Sequence, residues 1–464
     1  MNLRQIMHSK MFWGVSARAL NIAGGFVLLP VVIHYLDTEM LALYYLFISL
    51  TMITSILDFG FNSTLTRNFA YAYAGAKRIH AEGICDEFGT ETNWSLVGEL
   101  YVLSKKIYFY LSLVTLIVFF IPGSYYIYSI IKKSSISVEY GITCWLVFSL
   151  SSVLAMYFVY LSTMIQGRGD VNLANQISIF SRLTNIVITI VLLVNGYSLL
   201  SISFSAISVC IIERVLYFKF AFRDDNHKKI KHLKVDSSSK LKENLKLISV
   251  NSVKFGIVSL GAYLITRATI ILATTYLGLL ESASYIFTIQ VISIITGISS
   301  TIIGVYLPKL NQLAKHPNEQ FSLFCFSNLV SLSVYCIGAV ILILFGNYGL
   351  TLMHSKTQLI NNWQVITLLV VYLLEVQHSN YATMITTGNQ VPFVGAAIYS
   401  GIAIVILSII LMNFTKLGIW ALIISQGVVQ LSYNNWYWIR FICRKYHISY
   451  IKTISLGLKY VQNR

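Results

Sequence analysis

The sequence predicts an all-α membrane protein of about twelve transmembrane helices in two pseudo-symmetric six-helix bundles. Three observations carry this: the composition, the succession of long apolar segments, and an internal repeat. The chain has 464 residues, of which 56% are hydrophobic and only 11% charged, and its mean hydropathy is +0.69. A water-soluble domain cannot cover its surface with so little charge. The surplus apolar surface belongs in lipid.

A spanning helix needs about 20 apolar residues. Segments of that kind fall at 11–34, 40–58, 107–131, 138–165, 173–194, 198–218, 247–273, 284–308, 321–345, 359–386, 392–413 and 416–439. Most are apolar all round rather than striped, as burial in lipid and against other helices requires. The first contains Arg18 and no small-residue cleavage site. It is too long for the apolar core of a signal peptide and reads as a retained span. The spans leave room for an N-terminal bundle at 1–222, a basic cytoplasmic linker at 223–246, and a C-terminal bundle at 247–464 with a basic tail.

Lys and Arg orient the spans. With the N-terminus in the cytoplasm, 25 bases fall in inside segments and only Lys132, Lys133, Lys356 and Lys416 outside. That imbalance puts both termini in the cytoplasm. It also accounts for the net charge of +16 without nucleic acid, for which no motif is present. The six cysteines lie far apart, with no metal-ligand or redox spacing. They read as small apolar filler. No cofactor or metal is expected. The tail after Arg440 alternates bases with apolar residues, as an amphipathic helix on anionic lipid does; a frayed tail is the competing reading.

The repeat is short but placed regularly. YLDTEMLALY at 35–44 pairs with YLGLLESASY at 276–285, offset by 241 residues, and TMIQGRGDV at 163–171 with TMITTGNQV at 383–391, offset by 220. A longer loop after the second span explains the change of offset. Six spans is an even number, so both halves enter from the same side. The repeat is therefore parallel, about an axis along the membrane normal, as in transporters that rock one bundle against the other.

Two local motifs lie at matching span ends: Leu57-Asp58-Phe59-Gly60-Phe61, with Thr64 and Arg67, and Ile165-Gln166-Gly167-x-Gly169. With the span count and half-repeat they resemble the multidrug/oligosaccharidyl-lipid/polysaccharide (MOP) exporter superfamily. Within it the chain resembles the Wzx-type flippases of O-antigen and related polysaccharide repeat units. The resemblance implies a MATE-like fold in a bacterial inner membrane. It also implies transport of undecaprenyl-pyrophosphate-linked oligosaccharide to the periplasmic leaflet, for lipopolysaccharide or similar surface-polysaccharide biosynthesis. A polysaccharide polymerase is a possible partner. Lipid II flippases, the related branch, usually carry fourteen spans, against twelve here.

A pyrophosphate needs permanent cations in a wet cavity, and Arg offers paired donors. Arg18, Arg182, Lys254 and Arg267 are the candidate cationic path, with Asn21, Asn185 and Asn251 sharing helix faces with the first three. Snorkelling to headgroups competes for Arg18 and Arg267. On an ideal helix, Arg267 stands about 20 Å along and some 140° round from Lys254. Arg214, beside Glu213, reads as interfacial. Glu375 with His378 at i+3, and Asp58, are candidates for H+ or Na+ coupling. A buried ion pair competes for Glu375 and a structural turn for Asp58. Gly24, Gly25 and Pro30 make the first helix the expected hinge.

Two other classes remain open. A drug or cation exporter of the same superfamily would need an acidic cavity, whereas the intramembrane bases here outnumber the acids. A polyprenyl-dependent membrane polymerase or glycosyltransferase would need a large outside loop, and no nucleophile–base constellation appears. A transporter rather than an enzyme is expected.

Overall fold

The structure, a computed structural model, describes residues 20, 24–25, 27–79, 89–231, 238–313, 316–387 and 392–462. Arg18 and Asn21 lie outside the described residues. Asn251 and Lys254 lie on a described helix, but their side chains fall outside the description.

Among the described residues every regular element is helical. In chain order these are α1 (27–35), α2 (Thr38–Thr51), α3 (Ile53–Leu57), α4 (Phe61–Tyr73), α5 (Trp94–Val118), α6 (Ser124–Ile131), α7 (Val138–Tyr157), α8 (Val159–Gly167), α9 (Val171–Val194), α10 (Leu199–Ala221) and α11 (Asp225–Lys231). They continue as α12 (Ser238–Thr266), α13 (Ala268–Gln312), α14 (Pro317–Leu352), α15 (Asn362–Thr386), α16 (Val394–Phe414), α17 (Ile419–Ser432), α18 (Asn434–Lys445) and α19 (Tyr450–Gln462).

Among the described residues, 8 stretches are long and apolar enough to cross a membrane. One of them, Gly256–Leu307, joins the seventh and eighth predicted spans. Within it the helix is interrupted at Arg267 and turns sharply at Gly278, whose φ is 75° and ψ 177°. The tenth predicted span, α15, is diluted by Glu375, Gln377, His378 and Asn380, and the twelfth is divided between α17 and α18. The third helix is longer than its predicted span. It starts at Trp94, where the Asn93 side chain accepts from the Leu96 amide at 3.1 Å. It then carries Lys105 and Lys106 before the apolar stretch. Pro122 shifts its far part into a five-residue π turn, Phe119–Gly123. The Phe119 carbonyl there accepts from the Trp145 indole nitrogen at 3.2 Å.

The repeat has a structural counterpart. The chain leaves helix at Leu36 and Asp37 between α1 and α2. Adding the offset of 241 takes Asp37 to Gly278, the break inside α13. The second pair behaves alike: α8 ends at Gly167 and α15 at Thr386, one residue before Thr387, the position that the offset of 220 assigns to Gly167.

Packing divides the chain into two compact units. The first comprises the described residues of 1–24 and 47–260, and the second 25–46 and 261–464. The predicted linker, 223–246, lies within the first unit and contributes α11 and the start of α12.

In the first unit α4, α5 and α8 share a core of Leu65, Phe69, Leu100, Tyr108, Tyr160 and Leu161. Gly167 lets α8 approach α4 closely: a Cβ there would stand 2.3 Å from Phe69 Cβ and 2.9 Å from the Thr66 carbonyl oxygen. Gly169, at φ 91°, turns the chain into α9. In the second unit Phe324, Tyr381, Ile385 and Trp438 anchor the corresponding core. Helix α19 docks on α14 there. A Cβ on Gly457 would stand 2.8 Å from the Cys325 carbonyl oxygen, and Tyr460 stacks on Phe326. Between 441 and 462 the tail is helical apart from the turn at 446–449. Cys144, Cys210, Cys325 and Cys443 are buried, as filler should be, but Cys336 is exposed.

Candidate functional site

Within the first unit the Leu57–Phe61 motif forms a tight turn. Phe59 and Gly60 both take left-handed φ values, 49° and 73°. Asp58 holds the turn from both oxygens: Tyr108 donates its hydroxyl to Oδ1 at 2.9 Å, and the Asn62 amide donates to Oδ2 at 3.2 Å. Gly256 closes on it from α12, where a Cβ would stand 2.6 Å from Phe59 Cδ1.

The turn forms one wall of a cavity of about 520 Å³. Thr51, Thr54, Ser55, Asp58 and Asn62 line it from one side, and Ser152 and Arg214 from others. Arg214 lies 4.0 Å from Glu213 and 5.8 Å from the Tyr217 ring centroid. Its Nε is buried without a hydrogen-bond partner. In sequence Arg214 lies beside Glu213 near the cytoplasmic edge, which suggests an interfacial role. The signal that would have retained it is the polar stripe 51, 54–55, 58, 62, which recurs at helical spacing.

Arg182 is half-buried midway along α9. Its guanidinium lies over Gly24, whose absent Cβ would stand 2.6 Å from Nε and 3.3 Å from Cζ and Nη2. That Nε has no hydrogen-bond partner, and Arg182 forms no ion pair among the described residues. Asn185, one turn on, donates to Ser205 Oγ at 2.9 Å, and that hydroxyl returns a bond to the Asn185 carbonyl at 3.0 Å. It fastens α9 to α10.

The second unit has a polar seam. Glu375 carries a buried Oε2 with no partner, and His378, one turn on, has Nδ1 3.0 Å from the Asn434 carbonyl. Asn434 donates to Ser400 Oγ at 2.8 Å and to Gln430 Oε1 at 3.0 Å. Neither Asn435 nor Gln426 has a hydrogen-bond partner for its buried amide, although Gln426 faces the Tyr372 hydroxyl. Arg267, half-buried at its helix break, is also within electrostatic reach of Tyr372. Gln426, Gln430 and Asn434 were legible as a polar stripe at i, i+4 and i+8. Among the described residues no cluster of three His, Cys, Asp or Glu could hold a metal ion.

Gly24 closes the first unit's N-terminal segment and Gly25 opens the second unit. Gly25 is less crowded than Gly24, with only Ile294 near its would-be Cβ, at 3.9 Å. Pro30 lies within α1.

The fold is similar to that of solved transporters of the MOP superfamily. An inward-facing multidrug-resistance MATE family transporter of that superfamily aligns over 92% of this chain and 95% of its own, with a TM-score of 0.64 at 15% identity. The lipid II flippase MurJ, in an inward closed conformation, aligns over 97% of this chain and 90% of its own, with a TM-score of 0.58 at 14% identity. The MATE multidrug transporter DinF-BH, solved as a complex, covers 95% and 96%, with a TM-score of 0.60 at 13% identity. No protein-family model and no curated protein matches the sequence. The likeness is one of fold, and these three solved structures are transporters and a flippase.

Proposed function

We propose that this chain is a flippase of the bacterial inner membrane. It moves undecaprenyl-pyrophosphate-linked oligosaccharide repeat units from the cytoplasmic to the periplasmic leaflet by alternating access, with both termini cytoplasmic. The observation that carries this reading is Arg182: a permanent cation within a spanning helix, with a buried nitrogen that has no partner. An unpaired buried donor on a charged group is costly, and an anionic substrate would relieve the cost. Arg214, with its own unpaired Nε in a hydroxyl-lined cavity, extends the cationic character, and the hydroxyls suit a sugar. Lys254, Arg267 and Arg18 remain candidates for the cationic path, and Asn21, Asn185 and Asn251 for its polar lining. An apolar cavity of about 410 Å³ in the second unit, lined by Leu29, Phe287, Val334 and Phe345, suits a prenyl chain.

The test replaces Arg182, and separately Arg18, by Ala and measures surface polysaccharide against protein level. Loss of polysaccharide at normal protein level supports the reading, whereas full polysaccharide from both variants overturns it.

A second reading, a drug or cation exporter, draws on Glu375 and its unpaired oxygen. In the flippase reading that carboxylate couples transport to H+ or Na+. Efflux of cationic dyes by the wild type, abolished in Glu375→Gln, would favour the exporter.

A further inference from the structure

Glu375 is the last acidic residue of the chain, and everything after it is neutral or basic. The consequence is most local where α18 turns into α19. A cavity of about 580 Å³ opens there, lined by Arg440, Cys443, Arg444, His447, Ser449 and Tyr450 among others. Arg440 and Arg444 are four residues apart on α18 and share a face. Both are exposed, and neither forms an ion pair among the described residues.

The turn that shapes this cavity is held firmly. The Ile448 amide donates to the Cys443 carbonyl at 3.0 Å and the His447 amide to the Arg444 carbonyl at 3.1 Å, a Schellman helix end. Tyr446 stacks on Phe321 of α14 with ring centroids 4.0 Å apart. His447 occupies the left-handed position, at φ 53°, where glycine would be easier. An imidazole is thereby kept at the cavity mouth beside two guanidiniums, at a cost in backbone strain.

The surroundings identify the class of anion. On α19 the outward face carries Ile451, 78% exposed, with Ile454 and Leu458, flanked on one side by the exposed Lys452 and Lys459. Its other face is fixed to α14 through Gly457 and Tyr460. A docked helix that presents apolar and basic residues outward has the make-up of one at a bilayer interface, where bases meet lipid phosphates. We infer that the α18–α19 cavity is a binding site for the phosphate headgroup of an anionic phospholipid, held by Arg440 and Arg444 with His447 at its mouth. This site is independent of what the chain transports.

The experiment uses the full chain, delipidated in detergent and titrated with short-chain phosphatidylglycerol or phosphatidylcholine, with bound lipid counted by native mass spectrometry. Phosphatidylglycerol is expected to bind in preference. The Arg440→Gln/Arg444→Gln variant is expected to lose about tenfold in affinity for it, partly restored by Lys at both positions. Replacing Lys416, remote in sequence from this turn, is expected to change nothing. Equal binding by wild type and the Gln variant overturns the proposal. So does competition by millimolar inorganic phosphate, which would mark a site for free anions. His447→Gly relieves the left-handed strain, so it serves as a variant certain to retain the turn. It is expected to bind phosphatidylglycerol about two- to threefold more weakly while melting higher, and unchanged binding removes His447 from the site.

Discussion

The Cβ that Gly24 lacks would stand 2.6 Å from Nε of Arg182, well inside contact distance. The guanidinium occupies the space that a side chain at residue 24 would take. Gly24→Ala is therefore expected to displace Arg182 and reproduce the Arg182→Ala phenotype without removing the charge. On the proposed flippase reading, losing one charge-assisted contact to substrate corresponds to roughly a tenfold or greater fall in transport. Gly25→Ala is the control, because its methyl would meet only Ile294 at 3.9 Å. Surface polysaccharide normalised to protein level decides it. Equal effects at both glycines would place the requirement in helix flexibility instead.

How much of this was readable beforehand depended on whether the signal was local. Composition and span length yielded an all-α membrane fold, because lipid burial imposes one rule on every helix. The repeat pointed to Gly278 through Tyr276 and Tyr285, since a turn must recur where the architecture does. Asp58 was readable as a turn from its neighbour Gly60. The relation of Gly24 to Arg182 was not readable: it joins helices 158 residues apart, and a glycine beside a large cation leaves no periodic trace. Arg214 was obscured by a different effect: its place near the cytoplasmic edge beside Glu213 suggests an interfacial role, while the structure puts it in the lining of a hydroxyl-rich cavity.

The two glycines of the Gly167-x-Gly169 motif act for different reasons. At Gly167 an added methyl would meet Phe69 Cβ at 2.3 Å and backbone at 2.9 Å, so α8 and α4 would be forced apart. At Gly169 nothing lies within 4 Å, and only the φ of 91° opposes a side chain. Gly167→Ala is expected to cost about 1–3 kcal/mol by overpacking, and Gly169→Ala about 1–2 kcal/mol by strain. Gly169→Asn should recover much of the second loss, as Asn tolerates that conformation, whereas Gly167→Asn should be worse than Ala. Thermal stability of the purified variants orders the four.

Helix α11 is docked through His227, which is buried with Nε2 2.9 Å from the Tyr73 hydroxyl and its ring edge-on to Trp94. Burial holds the His227 pKa below its ordinary 6.5, with Arg168 and Arg223 pushing the same way and Asp224 and Asp170 opposing. Arg168 is itself paired with Asp170 at 2.7 Å, and Asp224 lies 3.5 Å from His227 Nδ1. Below the ordinary value the unfolded or undocked chain binds the extra proton more readily than the docked one. Docking is thus fully supported above about pH 6.5 and weakens as the pH falls through the window beneath it. Amide exchange across 225–231 should accelerate on acidification from neutrality, and His227→Gln should flatten that dependence. A protection pattern independent of pH in the wild type would contradict it.

The three candidates for ion coupling are not equivalent in their surroundings. Both oxygens of Asp58 are already engaged, by Tyr108 and by the Asn62 amide, and that is the signature of a carboxylate holding a turn. Glu375 has an oxygen that is buried and unbonded, and its neighbour His378 is tethered to the Asn434 carbonyl at 3.0 Å. A group that must take up and release an ion needs a free site, and of the two carboxylates Glu375 offers one. Glu375→Gln should therefore abolish the response of transport to an imposed pH or sodium gradient, while leaving substrate binding intact. Asp58→Asn should keep the gradient response. Asp58→Ala should lower thermal stability by about 1 kcal/mol, the usual loss for a side chain that satisfies helix-end amides. Transport into proteoliposomes, with each gradient applied separately, distinguishes these outcomes. A gradient response that survives in Glu375→Gln and vanishes in Asp58→Asn would move the coupling site to the first unit and assign the hydroxyl-lined cavity beside Arg214 to the ion rather than the sugar.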